Sequence, residues 1–183
     1  MIREKRERVF IAFDGSNFYH RLKESPHRLK NLLEFDFGAF VNFLLKDRKL
    51  ISVGYYVGAV RTEKGNTKSF KLLRNQHKLF SHLTKYNIKI HRGFILKTDG
   101  YHEKGVDVRI AVDLLVGAYE DLWDTAIILS SDTDLLPAIF KAKQLGKNIE
   151  YVGFSHKPSL AMISHSTTPR LLTIDEILPF VKR

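Results

Sequence analysis

Five stretches of the chain are apolar or nearly so: Val9–Phe13, Ile51–Val60, Ile88–Leu96, Ala126–Leu129 and Asn148–Gly153. Short runs of this kind, without a polar residue at every second position, predict strands of a parallel sheet buried on both faces. Between them the apolar residues recur every three or four positions. Asp36 heads a helix carrying Phe37, Phe40, Val41, Leu44 and Leu45 on one face. Lys68 to Tyr86 and Val106 to Tyr119 read as longer helices, and Asp134 to Leu145 as another, stopped by Gly146. Further helices are expected from Phe18-Tyr19 and over Ser155 to His165. Alternation of strands and helices predicts a three-layer α/β/α fold on a mainly parallel sheet of five or more strands. The chain of 183 residues suits one domain. Its core is expected over about residues 8–155, with residues 156–183 forming a C-terminal helix and a tail, including the amphipathic piece Thr173–Leu178, packed on it.

The strand ends carry the chemistry. The first strand runs into Asp14-Gly15-Ser16-Asn17, where Gly15 permits a tight turn and Ser16 or Asn17 is placed to cap the next helix. A carboxylate ending a buried strand needs a partner or a metal. The fourth strand runs into Ser130-Ser131-Asp132-Thr133-Asp134, where Ser131 or Asp132 could simply cap the following helix. Asp107 heads the stripe Ile110, Ala111, Leu114 and Ala118 on the helix leading into that strand, where a first-turn acid also suits the helix dipole. In the doubly wound strand order 3-2-1-4-5 the first and fourth strands are neighbours, and Asp14, Asp107, Asp132 and Asp134 converge at the carboxyl edge. Four like charges so gathered repel unless a cation neutralises them, and an oxygen-only donor set selects Mg²⁺ or Mn²⁺. Asp113 projects off this stripe, four residues after Arg109, and an ion pair along the helix accounts for it.

Charge extends the picture. Lys and Arg number 30 against 20 Asp and Glu, a net charge of +10, which suits a polyanionic partner such as nucleic acid. On the helix from Lys68 to Tyr86, the residues Lys71, Arg74, Lys78, His82 and Lys85 fall on one stripe without an acid among them. A solvated helix face explains such a stripe first; the missing acids are what point to phosphate contact. The basic residues His27, Arg28 and Lys30, in a loop after Ser25-Pro26, are candidates to lie near the site. There is no cysteine, so disulfides and thiolate metal sites are excluded. The N-terminal apolar run is too short for a signal peptide or membrane span, and a cytoplasmic protein is expected. A homo-oligomer is compatible with all of this.

The segments F-D-G-S-N-F-Y (13–19), K-G-V-D-V-R-I-A-V-D-L-L (104–115) and L-S-S-D-T-D-L-L-P-A-I (129–139) together resemble the NYN domain, a branch of the PIN-like nuclease superfamily. The resemblance spans about residues 8–155. It implies a PIN-like fold and an Mg²⁺- or Mn²⁺-dependent ribonuclease, with the acidic site on Asp14, Asp107, Asp132 and Asp134 and with Asn17, Ser131 and Lys104 supporting it. A phosphodiesterase of this kind acts on RNA; the alternative is an RNA-binding or regulatory module that keeps the fold without the chemistry. Other α/β readings fit worse. A dinucleotide fold would show G-x-G-x-x-G after the first strand, and an aspartyl-nucleophile phosphatase would want an acid where Ser16 stands.

Overall fold

The three-dimensional structure is a computed structural model that describes residues 6–24, 32–60, 62, 65–97 and 101–181, without side-chain detail for 95–97 and 101–103. The elements follow in the order β1 (Arg8–Asp14), α1 (Gly15–Glu24), α2 (Phe37–Leu45), β2 (Lys49–Gly58), α3 (Thr67–Thr84), β3 (Lys89–Lys97), β4 (Tyr101–Lys104), α4 (Val106–Tyr119), β5 (Thr125–Leu129), α5 (Leu136–Gln144), β6 (Asn148–Phe154), α6 (Leu160–His165), β7 (Thr168–Leu172) and α7 (Ile174–Ile177). They build one sheet in the order β4-β3-β2-β1-β5-β6-β7. Every neighbouring pair is parallel except β3–β4. The five expected strands occupy the center of this sheet in the expected order.

Strand parity divides the apolar residues into two cores. Val9, Ile11 and Phe13 of β1 point to one face, with Ile127 and Leu129 of β5. There they meet α1, α2 and α3 in a nest of rings in which Phe13, Phe18, Phe35, Phe37 and Phe40 pack edge-on or tilted. Phe10 and Ala12 point to the other face, with Ala126 and Ile128, against Ile110 and Leu114 of α4 and Ala138 and Ile139 of α5. Interlocked rings of this sort favor edge-to-face geometry because the ring edge is positive and the face negative.

Two strands lie where the hydrophobic pattern signals none. Residues 97–105, where no strand was expected, contain β4, which pairs antiparallel with β3 from Phe94↔Lys104 to Lys97↔Tyr101. Its sequence Y-H-E-K has no apolar alternation, because an edge strand can be held by backbone bonds to its single neighbor. Gly93 of β3 is where this return comes closest: a Cβ there would stand 2.6 Å from Val106 and 2.7 Å from the Lys104 carbonyl. The tail supplies β7, whose Pro169 pairs with Tyr151 at the opposite edge, the one place in a sheet that tolerates a residue without N–H.

Helix boundaries move for local reasons. The helix expected from Asp134 starts later, since Thr133–Leu135 form a 3-10 turn and α5 begins at Leu136 with Pro137 in its first turn. The helix expected over Ser155–His165 is cut to α6 by Pro158 and the Ser159 cap, whose side chain accepts from Met162 N–H. Among the described residues no helix is long and apolar enough to cross a membrane.

Candidate active site

Asp14 is the last residue of β1 and shares the parity of Phe10 and Ala12, so its side chain belongs to the α4 side of the sheet. It is 5% exposed. Its Oδ1 accepts the Asn17 backbone N–H at 3.0 Å, and Ser130 Oγ donates to its Oδ2 at 2.7 Å. The first bond makes Asp14 itself the cap of α1, the role expected of Ser16 or Asn17. Gly15 also plays a different part from the expected one. It lies within α1, and a Cβ there would stand 2.5 Å from the Tyr55 ring, so close packing rather than a tight turn demands glycine.

Ser130 ties the two strand ends together. Besides donating to Asp14, its Oγ accepts the Asp132 N–H at 3.1 Å. Asp132 in turn caps the 3-10 turn, accepting the Asp134 N–H on Oδ1 at 2.9 Å. Capping does not remove Asp132 from the site. It lines, with Asp14, Asn17, His20, Arg21 and Asp107, one pocket of about 350 Å³. Asp107 reaches it from the first turn of α4, half buried. Three carboxylates from β1, α4 and the end of β5 thus face one space at the carboxyl edge, beside the point where strand order reverses. Asp134 is exposed and stands outside that wall.

The donor set is oxygen-only, as a hard divalent ion requires, yet among the described residues no three Asp, Glu or His side chains stand close enough to grip one ion. A hard ion held at such a spacing would need water or substrate phosphate to complete its oxygen ligands. Arg21 adds a cation to the pocket wall. Its Nη1 donates to Glu24 at 3.2 Å, and its buried Nε has no partner among the described residues. Lys157, also bonded to Glu24, is the main reason that the Glu24 carboxyl lies below its ordinary range, with Arg21 a lesser one.

The remaining site residues divide. Asn17 is in the pocket. Ser131 turns away, its hydroxyl 3.1 Å from that of Tyr151, and Lys104 is exposed at the end of β4 and is absent from the pocket wall. The signal for Ser130 was strand parity. Ala12 lies beside Ile128 and Phe13 beside Leu129, so the next residues, Asp14 and Ser130, are neighbors on the same face. His20 and Arg21 lie one turn beyond Asn17 on α1. The basic loop residues His27, Arg28 and Lys30 fall outside the described residues.

On α3, Lys71, Arg74, Lys78 and Lys85 are exposed, whereas His82 is half buried with Nε2 3.0 Å from the Phe35 carbonyl oxygen and its ring against Phe37. Arg74, His77, Lys78 and Lys85 line a shallow groove of about 410 Å³. The helix starts after the carboxyl end of β2 and runs back to the start of β3, about 27 Å for its 18 residues. Lys71 and Arg74 therefore sit nearer the acidic pocket than Lys85 does. Asp113 keeps the expected bond from Arg109 Nε at 3.0 Å. It also accepts from the Tyr56 hydroxyl at 2.9 Å and lies 3.3 Å from His91 Nδ1, away from the acidic pocket. Burial first, then the Asp113 charge, pushes the Tyr56 phenol far above its ordinary value.

Residues 8–174 match the NYN domain, nearly the whole chain. The chain belongs to the NYN domain family. NYN domains form a PIN-like nuclease family whose substrates are nucleic acids and whose members typically use divalent metals. The fold is shared with a Vibrio parahaemolyticus protein whose crystal structure is described as that of a protein of unknown function, with 20% identity, a TM-score of 0.67 and 99% of each chain covered. No curated protein matches.

Proposed function

We propose that this NYN chain is a divalent-metal-dependent ribonuclease that hydrolyses RNA phosphodiester bonds. The observation that carries the reading is the gathering of Asp14, Asp107 and Asp132 from three separate elements around one pocket at the carboxyl edge. Asp14 would hold Mg²⁺ or Mn²⁺ with Asp107 and Asp132, while Asp134 stands at the margin. Bound there, the ion supplies a water made more acidic and a counter-charge for the phosphorus center. The chain's own groups do the rest. Ser130 and the Asn17 N–H fix the Asp14 carboxylate, and the Asp134 N–H fixes that of Asp132. Donors fixed beforehand need no reorganisation during reaction. Arg21 and His20, on the pocket wall, are placed to donate to the non-bridging oxygens of the phosphate. Water adds to phosphorus, one P–O bond to a ribose oxygen breaks, and the leaving oxygen takes up a proton.

The spacing of the carboxylates favors one other reading, an RNA-binding module without catalysis. A cleavage assay with several RNAs in Mg²⁺, in Mn²⁺ and in EDTA separates the two. Cleavage that EDTA abolishes and Asp14→Asn depresses by roughly a hundredfold or more supports the enzyme. Binding without cleavage in either metal supports the module. In both cases affinity should fall steeply with salt, and replacing Lys71, Arg74 and Lys78 by Glu should flatten the log K against log salt slope by about 2, near 0.7 for each phosphate deprived of its cation. An unchanged slope would move the binding face off α3.

A further inference from the structure

A second hollow adjoins the acidic pocket. Its volume is about 300 Å³, at the small end of the range for ligand sites, and it lies between α1, the end of β2 and the outer half of α3. Gly15, Ser16 and His20 form its boundary with the acidic site; Ser16 and His20 line both spaces. Its walls differ from those of its neighbor. They are mostly apolar and include the half-buried ring of Tyr19, the buried Tyr55, and the aliphatic groups of Leu33, Val57, Val60, Leu72 and Leu79. Leu72 is 51% exposed, an apolar side chain facing water, as Phe70 also is, on a helix that exposes Lys68, Lys71, Arg74 and Lys78 as well. Gln76 explains why this wall is fixed. Its amide donates to the Gly58 carbonyl at 2.7 Å and accepts from the Val60 N–H at 2.9 Å, clamping α3 to the end of β2.

We infer that this hollow is a nucleobase subsite, holding the base of a nucleotide next to the phosphate that the acidic pocket receives. The inference rests on the nuclease reading for the identity of the polymer. A flat aromatic base needs an apolar slot with ring or aliphatic faces, and stacking of that kind is tolerant of sequence. A phosphate needs the reverse, and the two environments meet here at one turn of α1. Of the α3 cations, Arg74 and Lys78 face a separate groove with His77 and Lys85, so a strand with one base in the hollow meets its nearest cation, Arg21, on the acidic side, next to the shared His20. The paired hollows thus match the alternation of charge and aromatic surface along a single strand. A duplex, with its bases stacked inside, presents no free base to such a slot.

Methyl NMR of the full chain without divalent metal tests this, because it needs no turnover. Adenosine or uridine 5′-monophosphate should shift the methyl signals of Leu72, Leu79, Val57 and Val60, and ribose 5-phosphate should not. Leu72→Glu, at a half-exposed position, should abolish the shifts while leaving the rest of the spectrum unchanged. In the cleavage assay, an RNA with one abasic nucleotide beside the cut should react roughly ten- to a hundredfold more slowly. Equal shifts from ribose 5-phosphate, or shifts confined to residues outside the hollow, would overturn the subsite. If RNA is cut and Asp14→Asn stops it while the methyls stay still and the abasic RNA reacts normally, the subsite alone fails. If the methyls respond but no RNA is cut in any metal, the nuclease reading fails and the base site stands.

Discussion

The two ends of the same parallel sheet treat charge in opposite ways. At the amino end, Arg8 bonds to both Asp124 and Asp121, Lys147 pairs with Asp121, and Arg48 pairs with Glu150. Each of these three acids has a cation, and the bonds close the strand starts. Asp124 even accepts the Arg8 backbone N–H, at 2.8 Å. At the carboxyl end the acids gather with one another. Asp14 takes bonds from a hydroxyl and a backbone N–H, and Asp107 and Asp132 face the same pocket. Opposite-sign pairing serves the fold; same-sign gathering lines one pocket with three carboxylates, with Arg21 on the same wall.

The sharpest way to break this comparison is to change one acid at each end. Asp107→Asn and Asp132→Asn should each lower RNA cleavage by roughly a hundredfold or more with RNA affinity nearly kept, because affinity comes mostly from Lys and Arg. Asp124→Asn should leave the rate per folded molecule unchanged. Kinetics alongside melting curves decide it, and a catalytic loss from Asp124→Asn equal to that from Asp132→Asn would erase the distinction between the two ends. Asp113→Asn belongs with the amino-end type. Since its carboxylate holds Tyr56 and stands beside His91, it should cost stability before activity.

A smaller effect sharpens the comparison through pH. The Arg8 hydrogen bond, more than any other cause, lowers the Asp124 carboxyl to about 2 in the folded chain. The unfolded value is about 3.9, so the pair contributes stability above about pH 4 and loses it as pH falls toward 2. Asp124 is partly exposed, with side-chain accessibility of 37%, and screening limits the contribution to about 1 kcal/mol. Acid titration of the melting temperature should show the Asp124→Asn variant flatter than the parent between pH 4 and 2. Parallel curves would mean that the bond persists in the unfolded chain or adds nothing.

The smallest effect lies at the carboxyl end. In metal-free protein, Asp132→Asn should raise the melting temperature by about one or two degrees, since it removes a like charge while asparagine still caps the 3-10 turn. The upward shift given by Mn²⁺ should shrink at the same time. A variant that melts lower and responds fully to Mn²⁺ would show that Asp132 is there to cap and nothing else.

Periodicity by itself determined the center of this protein. Short continuous apolar runs of strand length, with helical stripes between them, predict a layered parallel sheet, so the five inner strands were legible and their order followed from the doubly wound pattern. Of the four aspartates expected to converge, Asp14, Asp107 and Asp132 line one pocket because topology brings neighboring strand ends together, whereas Asp134 is not on its wall. Tertiary structure decided what periodicity does not encode. The strands at the two edges, β4 and β7, are held by backbone bonds to one neighbor and need no apolar pattern. Which of two adjacent serines supports Asp14 depends on strand register, and register made it Ser130 and turned Ser131 toward Tyr151. His82 shares its helical stripe with four lysines and arginines, yet packing against Phe35 and Phe37 draws it inward. Hydrophobic pattern fixes which face a side chain takes; distances of a few ångströms, on which bonding depends, are set only when the elements pack.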